Sequence, residues 1–147
     1  MEIMKIEIFR VTEYSVSLME AFERLLPQLS SRAVMPSREH VERVLSSEGI
    51  RLLAAADEEG AIVGMLTLAL VDIPTGRKAW IEDVVVDGVC RGYGVGAQLV
   101  EKAVSLAGDE GARVVYLTSN PSREAAHALY RKCGFESYDT VVFRRYL

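Results

Sequence analysis

The sequence predicts an α/β (α+β) fold: a mixed, mostly antiparallel sheet flanked by helices, with one parallel βαβ unit. Residues 51–86 hold apolar runs separated by the turn clusters Asp57-Glu58-Glu59-Gly60 and Asp72-Ile73-Pro74-Thr75-Gly76, the pattern of an antiparallel meander. Amphipathic stretches at helical spacing lie both before and after that meander. Strand, helix and strand then succeed one another at 79–86, 94–107 and 113–118, and a crossover of that kind makes its two strands parallel.

Each element has a local cause. Residues 6–11 alternate apolar and polar and read as a first strand. Residues 16–26 read as a helix stopped by Pro27, followed by a polar loop at 28–36. Ser37 offers an N-cap to a second helix with Val41, Val44 and Leu45 at helical spacing. Strands at 51–56, 61–71 and 79–86 form the meander. Val95, Leu99, Ala103 and Leu106 share one face of the helix at 94–107, with Glu101 and Lys102 away from it. A last helix is expected at 121–132, with Gly134 as its stop, and one or two closing strands at 135–147. No linker divides the chain, so residues 1–147 are expected to form a single domain.

Composition narrows the function classes. Of 147 residues, 50% are hydrophobic and 26% charged, which supports a buried core and argues against disorder. No apolar run reaches the roughly 20 residues needed to span a bilayer, and Met1-Glu2-Ile3-Met4-Lys5 lacks the layout of a secretory signal. Cys90 and Cys133 stand far apart with no CxxC or Cys/His cluster, against a disulfide framework or a metal site. A cytoplasmic protein with two reduced thiols is expected. The net charge of −4 argues against nucleic acid as the main partner, and no membrane partner is expected.

The sharpest signal is the run Val84-Val85-Val86-Asp87-Gly88-Val89-Cys90-Arg91-Gly92-Tyr93-Gly94-Val95-Gly96, a buried-type strand entering a glycine-rich turn that opens into a helix. Glycines allow close backbone approach, and the first turn of a helix offers unpaired N–H groups and partial positive charge to an anion. Arg91 adds a full charge. The plain alternative is a connector that binds nothing. A dinucleotide loop requires GxGxxG, whereas Gly94-Val95-Gly96 is followed by Ala97, Gln98 and Leu99; a Walker loop requires GK[ST], which is absent.

Arg91-Gly92-Tyr93-Gly94-Val95-Gly96 resembles the Q/R-x-x-G-x-G/A signature of the GNAT superfamily of acetyl-CoA-dependent N-acetyltransferases. Leu129-Tyr130-Arg131-Lys132-Cys133-Gly134-Phe135 is similar to that family's LYxKxGF box, and the order of elements is similar over almost the whole chain. The resemblance implies a GNAT-like sheet with a splayed central strand pair and acetyl-CoA as cosubstrate. It implies that amides from Arg91 through Gly92, Tyr93, Gly94 and Val95 to Gly96 cradle the CoA diphosphate. It further implies that Val84, Val85 and Val86 pair with the pantetheine arm, an N–H near Val84 or Val85 polarising the thioester carbonyl.

Two candidates for chemistry follow. Glu82 and Asp83 sit side by side in a strand that otherwise reads as buried, where an unpaired carboxylate costs several kcal/mol. Regular β geometry puts Glu82 on the face of Trp80 and Val84, and Asp83 on the face of Ile81 and Val85, unless a bulge intervenes. Either the strand end is exposed or ion-paired, or one carboxylate is a general base; the resemblance favours Glu82. A carboxylate near pKa ~4.3 is a poor base for an ammonium near ~10.4 unless burial raises it, water relays the proton, or the amine is weakly basic. Tyr130, read from the residues alone, is a packed aromatic. The resemblance makes it the donor of a proton to the departing thiolate. Asn120 before Pro121 reads as a helix N-cap, and the resemblance gives it a contact with CoA. His127 reads as a solvated surface residue, and neither cysteine is expected to act as a nucleophile.

The expected reaction is direct transfer of acetyl to a primary amine of a small molecule. The acceptor is expected against residues 28–36, 72–78 and 138–144; Arg32, Arg38 and Arg144 are candidates to hold an anionic group, although each reads first as a surface charge. Trp80-Ile81-Glu82-Asp83-Val84-Val85-Val86 with Lys132-Cys133-Gly134-Phe135 resembles the glucosamine-6-phosphate acetyltransferase branch, while residues 118–124 and the tail depart from it. Acetylation of protein amines and a CoA-binding regulatory domain without turnover are the other readings. Homodimers are common in the family, but no dimer-specific feature stands out in the chain.

Overall fold

The computed structural model describes residues 2–147. It orders the strands β1 (Glu7–Val11), β2 (Ile50–Ala56), β3 (Ile62–Ile73), β4 (Gly76–Val86) and β5 (Val115–Tyr116) side by side in one sheet. The pairs β1–β2, β2–β3 and β3–β4 are antiparallel, and β4–β5 is parallel. Helices α1 (Val16–Leu29) and α2 (Arg38–Ser46) precede β2, whereas α3 (Val95–Asp109) makes the crossover from β4 to β5 and α4 (Glu124–Lys132) follows β5. This is the mixed sheet with helical flanks that the sequence predicts. No helix among the described residues is long and apolar enough to cross a membrane.

Both faces of the sheet are covered, which is why neighbours along one strand are buried together. Leu52, Ala54, Met65 and Val85 pack with Leu18, Leu25 and Val41 under α1 and α2. Leu53, Ala55, Leu66, Leu68 and Ile81 pack with Val95, Leu99 and Val100 under α3. Ser37 caps α2 as expected, its hydroxyl accepting from the His40 N–H at 3.1 Å. Gly134 (φ +90°) ends α4, with Phe135 N–H donating to Tyr130 C=O at 2.9 Å and Gly134 N–H to Arg131 C=O at 3.0 Å, both bonds of the Schellman motif.

Three expectations are corrected. Pro27 does not stop α1, which runs on to Leu29: the proline lies in the last turn, and Leu26 and Leu29 hold that turn against the core. The strand expected at 113–118 is only Val115–Tyr116, because the parallel ladder is confined to its start, where Arg113 N–H donates to Arg77 C=O and Ala79 N–H to Val114 C=O. Residues 136–147 form no strand. The edge they would extend is two residues long, and their contact with it is Tyr138 set edge-on to Tyr116 at 6.0 Å. Val141, Val142 and Phe143 of this tail are exposed.

Candidate active site

The corner after β4 is fixed from both sides. Asp87 N–H donates to Val63 C=O at 2.8 Å, while Arg24 Nε donates to the Asp87 carboxylate at 3.3 Å. Gly88 N–H donates to Gln28 Oε1 at 2.7 Å. From there the chain turns through Gly92 (φ +86°) and Gly94 (φ +81°), left-handed conformations that favour glycine. Helix α3 starts at Val95 with no side-chain cap. The Arg91 amide, expected in the cradle, donates instead to Gly88 C=O at 3.4 Å; among the described residues, the amides of Gly92 through Ala97 donate to no backbone or side-chain acceptor, and the first intrahelical bond is Gln98 N–H to Gly94 C=O at 3.1 Å. The turn is anchored from behind: Met4 N–H donates to Tyr93 C=O at 2.9 Å, and Gln98 Nε2 to Met4 C=O at 3.2 Å.

This run of open amides at the positive end of α3, beside the exposed Arg91 guanidinium, fits a diphosphate. At Gly96 a Cβ would lie 3.0 Å from Leu129 Cδ1 and 3.6 Å from Val86 Cγ2. Glycine there lets the start of α3, the end of β4 and α4 meet, so Val86, Gly96 and the Leu129–Tyr130 turn come together. Beside them the sheet opens. β4 pairs with β5 only at Ala79↔Val115 and Trp80↔Tyr116, leaving the edge of β4 through Val84, Val85 and Val86 without a strand partner on that side. The opening lies at the edge of the sheet. Beyond β5, Ser119 Oγ is buried without a hydrogen-bond partner, the one such side-chain atom among the described residues.

The two carboxylates do not follow regular alternation. Met65 faces Val85 and Thr67 faces Glu82, so Asp83 and Val84 together oppose Leu66: a β-bulge. Among the described residues Asp83 alone of the non-glycines has a positive φ, +51°, a conformation costing roughly 1–2 kcal/mol for an L side chain. The extra residue reverses the faces beyond it. Ile81 and Val84 pack on the α3 side and Val85 on the α1/α2 side, correcting the expectation that Asp83 shares a face with both Ile81 and Val85.

Asp83 therefore lines a cavity of about 660 Å³ between the α1–α2 connection, α2 and β2–β4. Glu82 is not part of that lining. Both acids are exposed, as one reading of the sequence expects; the burial that Glu82 keeps first, and the Asp83 charge second, push its carboxyl above the usual range. Of the region expected to meet an acceptor, the connection after α1 lines the cavity, whereas neither 72–78 nor the tail does. Arg32 alone of the three candidate arginines lies there; Arg38 pairs with Glu42 at 3.0 Å and Arg144 sits over Tyr146.

Tyr130 on α4 is half-buried, set edge-on to Phe135 at 6.1 Å, and burial raises its phenol above the ordinary range. Its hydroxyl makes no hydrogen bond to the described residues. Asn120 is not the cap of α4, which begins at Glu124. Its Oδ1 accepts from Ser122 N–H at 2.9 Å and Ser122 Oγ at 2.8 Å, closing a turn ahead of the helix, and its carbonyl accepts from Arg123 N–H. His127 is not simply solvated: it is partly buried, with Nε2 3.0 Å from that same carbonyl. Burial raises both cysteine thiols, which keeps them protonated and poorly nucleophilic. Asp83 is the site residue that reading by alternation misses; its signal is the pair of adjacent acids in an apolar strand.

A sheet opened beside a parallel strand pair, with an uncapped glycine turn feeding a helix, is the framework of acyltransferases that draw on CoA thioesters. The chain belongs to the acetyltransferase (GNAT) family, whose description matches residues 15–135. It is 40% identical over 60 residues to a probable glucosamine 6-phosphate N-acetyltransferase 2 of Oryza sativa subsp. japonica, a stretch that is 41% of this chain and 34% of the rice protein. It is 35% identical over 70 residues to an uncharacterized N-acetyltransferase of Methanocaldococcus jannaschii, covering 48% of this chain and 31% of that one. The chain thus spans about a third of the length of the curated relatives it matches. Among solved structures, an aminoglycoside acetyltransferase from an uncultured soil metagenomic sample superposes with a TM-score of 0.84 at 22% identity, over 97% of this chain and 95% of that one.

Proposed function

We propose that residues 1–147 act as one cytoplasmic domain, an N-acetyltransferase that moves acetyl from acetyl-CoA directly to a primary amine of a small molecule. The observation that carries this reading is the run of open amides from Gly92 to Ala97, which follows the unpartnered edge of β4 across the hydrogen-bonded corner at 87–91. Amides and Arg91 suit the diphosphate, and the edge at Val84–Val86 suits the amide-bearing pantetheine arm, which adds like a strand. The orphaned Ser119 hydroxyl lies close in sequence to Asn120, and both stand in the segment after β5 that would border the arm.

Bound acetyl-CoA supplies a thioester carbonyl for attack. An N–H of Val84 or Val85 stabilises the charge that grows on that carbonyl oxygen. Glu82, raised above an ordinary carboxylate, takes the proton the amine must lose, through water because it stands outside the cavity lining. Tyr130, whose phenol burial raises above its ordinary range, gives its proton to the departing sulfur. The 40% identity to the rice relative over 60 residues favours glucosamine 6-phosphate as a second reading of the acceptor.

Calorimetry with acetyl-CoA, followed by thiol release over a panel of amines that includes glucosamine 6-phosphate, tests the proposal. Micromolar binding with amine-dependent thiol release is expected. No measurable affinity at millimolar ligand removes it, and binding without thiol release leaves a CoA-binding regulatory domain.

A further inference from the structure

The cavity under the α1–α2 connection is lined mostly by hydrocarbon, with Ser30, Arg32, Ser37, His40, Thr67 and Asp83 as its polar residues. Phe22, Leu26, Val41, Leu52, Met65 and Val85 present hydrocarbon from α1, α2 and three strands, and the exposed Val34 and Met35 continue apolar surface along the connection. The one carboxylate in the lining is Asp83, which makes no ion pair or hydrogen bond with any described residue. The bulge turns this carboxylate to the cavity side while keeping Val84 on the other face. Asp83 is exposed to solvent at this cavity, in a left-handed conformation and without an ion pair, and a carboxylate so placed beside hydrocarbon is complementary to a cationic group arriving from outside.

We propose that the cavity admits a primary ammonium on an apolar body, an alkyl or arylalkyl amine whose cationic end sits at Asp83. The assignment rests on the acetyltransferase reading and names its acceptor class. A phosphosugar fits less well: most of its hydroxyls would lose water against leucine, methionine and valine, with Ser30, Ser37 and Thr67 as the hydroxyl-bearing partners in the lining. The lining also holds the Arg32 guanidinium and the His40 imidazole, exposed residues on the 30–40 segment, so an anionic amine is the competing outcome to be measured.

The experiment compares kcat/KM for propylamine, butylamine, pentylamine, hexylamine and phenethylamine with glucosamine 6-phosphate and spermidine, at saturating acetyl-CoA. Specificity should climb about fourfold per methylene along the alkyl series, the ratio expected for each CH₂ taken out of water. Phenethylamine should exceed both polar amines at least tenfold. A flat alkyl series, or preference for glucosamine 6-phosphate or spermidine, overturns the inference. Asp83→Asn is the matched variant, since asparagine tolerates positive φ better than other non-glycine residues. It should raise the Kd of hexylamine at least tenfold by calorimetry, leave the inhibition constant of hexanol within twofold, and leave acetyl-CoA affinity unchanged. Equal weakening of hexanol and hexylamine gives Asp83 a structural role and rejects the ammonium site. If hexylamine binds the protein alone but acetyl-CoA does not, the transferase reading fails and the amine site stands. If acetyl-CoA binds and only glucosamine 6-phosphate is acetylated, the reverse holds.

Discussion

At the scale of single residues, adjacent acids take different environments. Asp83 faces the cavity in a strained backbone conformation; Glu82, one residue earlier, is raised by burial and by its neighbour's charge. Neighbouring carboxylates with diverging environments can divide binding from proton transfer. Glu82→Gln should lower turnover at neutral pH by about 10²-fold and recover part of it at high pH, where the free amine is abundant. Unchanged turnover across that range takes Glu82 out of the mechanism. Asp83→Asn removes the like charge, so the Glu82 pKa falls, and the acid limb of the pH–rate profile should move to lower pH. A limb that stays in place separates the two groups electrostatically. Tyr130→Phe should cut turnover tenfold or more and leave acetyl-CoA affinity within about twofold, because the lost hydroxyl has no partner in the folded protein. Steady-state kinetics beside calorimetry distinguish these outcomes.

At the scale of elements, the site is made by interruptions in otherwise regular structure: a bulge in β4, a strand pair that parts after two residues, and a helix that begins without a cap. The last was legible from the sequence, since Gly92, Gly94 and Gly96 announce both the turn and the close approach. The parting of β4 from β5 came only through the family resemblance, because nothing in Arg113-Val114-Val115-Tyr116-Leu117-Thr118 says where its apolar run stops pairing. The bulge was invisible to a period of two, which assigns Asp83 the wrong companions as soon as one residue is inserted. The tail failed for another reason: Val141-Val142-Phe143 has strand propensity, yet propensity needs an edge to pair with, and β5 offers two residues. Gly96→Ala tests the junction. Its Cβ would press on Leu129 Cδ1, the end of a flexible side chain, so stability should drop by no more than about 1 kcal/mol. The shifted Leu129 side chain, next to Tyr130, should nevertheless lower turnover severalfold, seen by comparing thermal unfolding with kcat.

Across the whole molecule, the far end of α3 is tied to the sheet by Arg51, whose guanidinium grips the Glu110 carboxylate at 2.7 and 3.0 Å. Hydrogen bonding from Arg51 holds the Glu110 carboxyl below its usual range. A depressed carboxylate contributes stability that is present above its unfolded pKa and lost as pH falls through its folded pKa. Glu110→Gln should therefore cost about 1–3 kcal/mol at pH 7, and the gap to wild type should close in strong acid. Urea titrations at both pH values check this; a difference independent of pH assigns the loss to packing.

At the opposite end of α3, the backbone N–H and C=O of Met4 stitch the leading segment to Tyr93 and Gln98. Occupancy of the glycine turn and seating of this leading segment are thus linked equilibria, each favouring the other. CoA should slow hydrogen exchange at the Met4 amide although it touches other atoms, and clipping or crowding the leading segment should loosen the grip on CoA from behind.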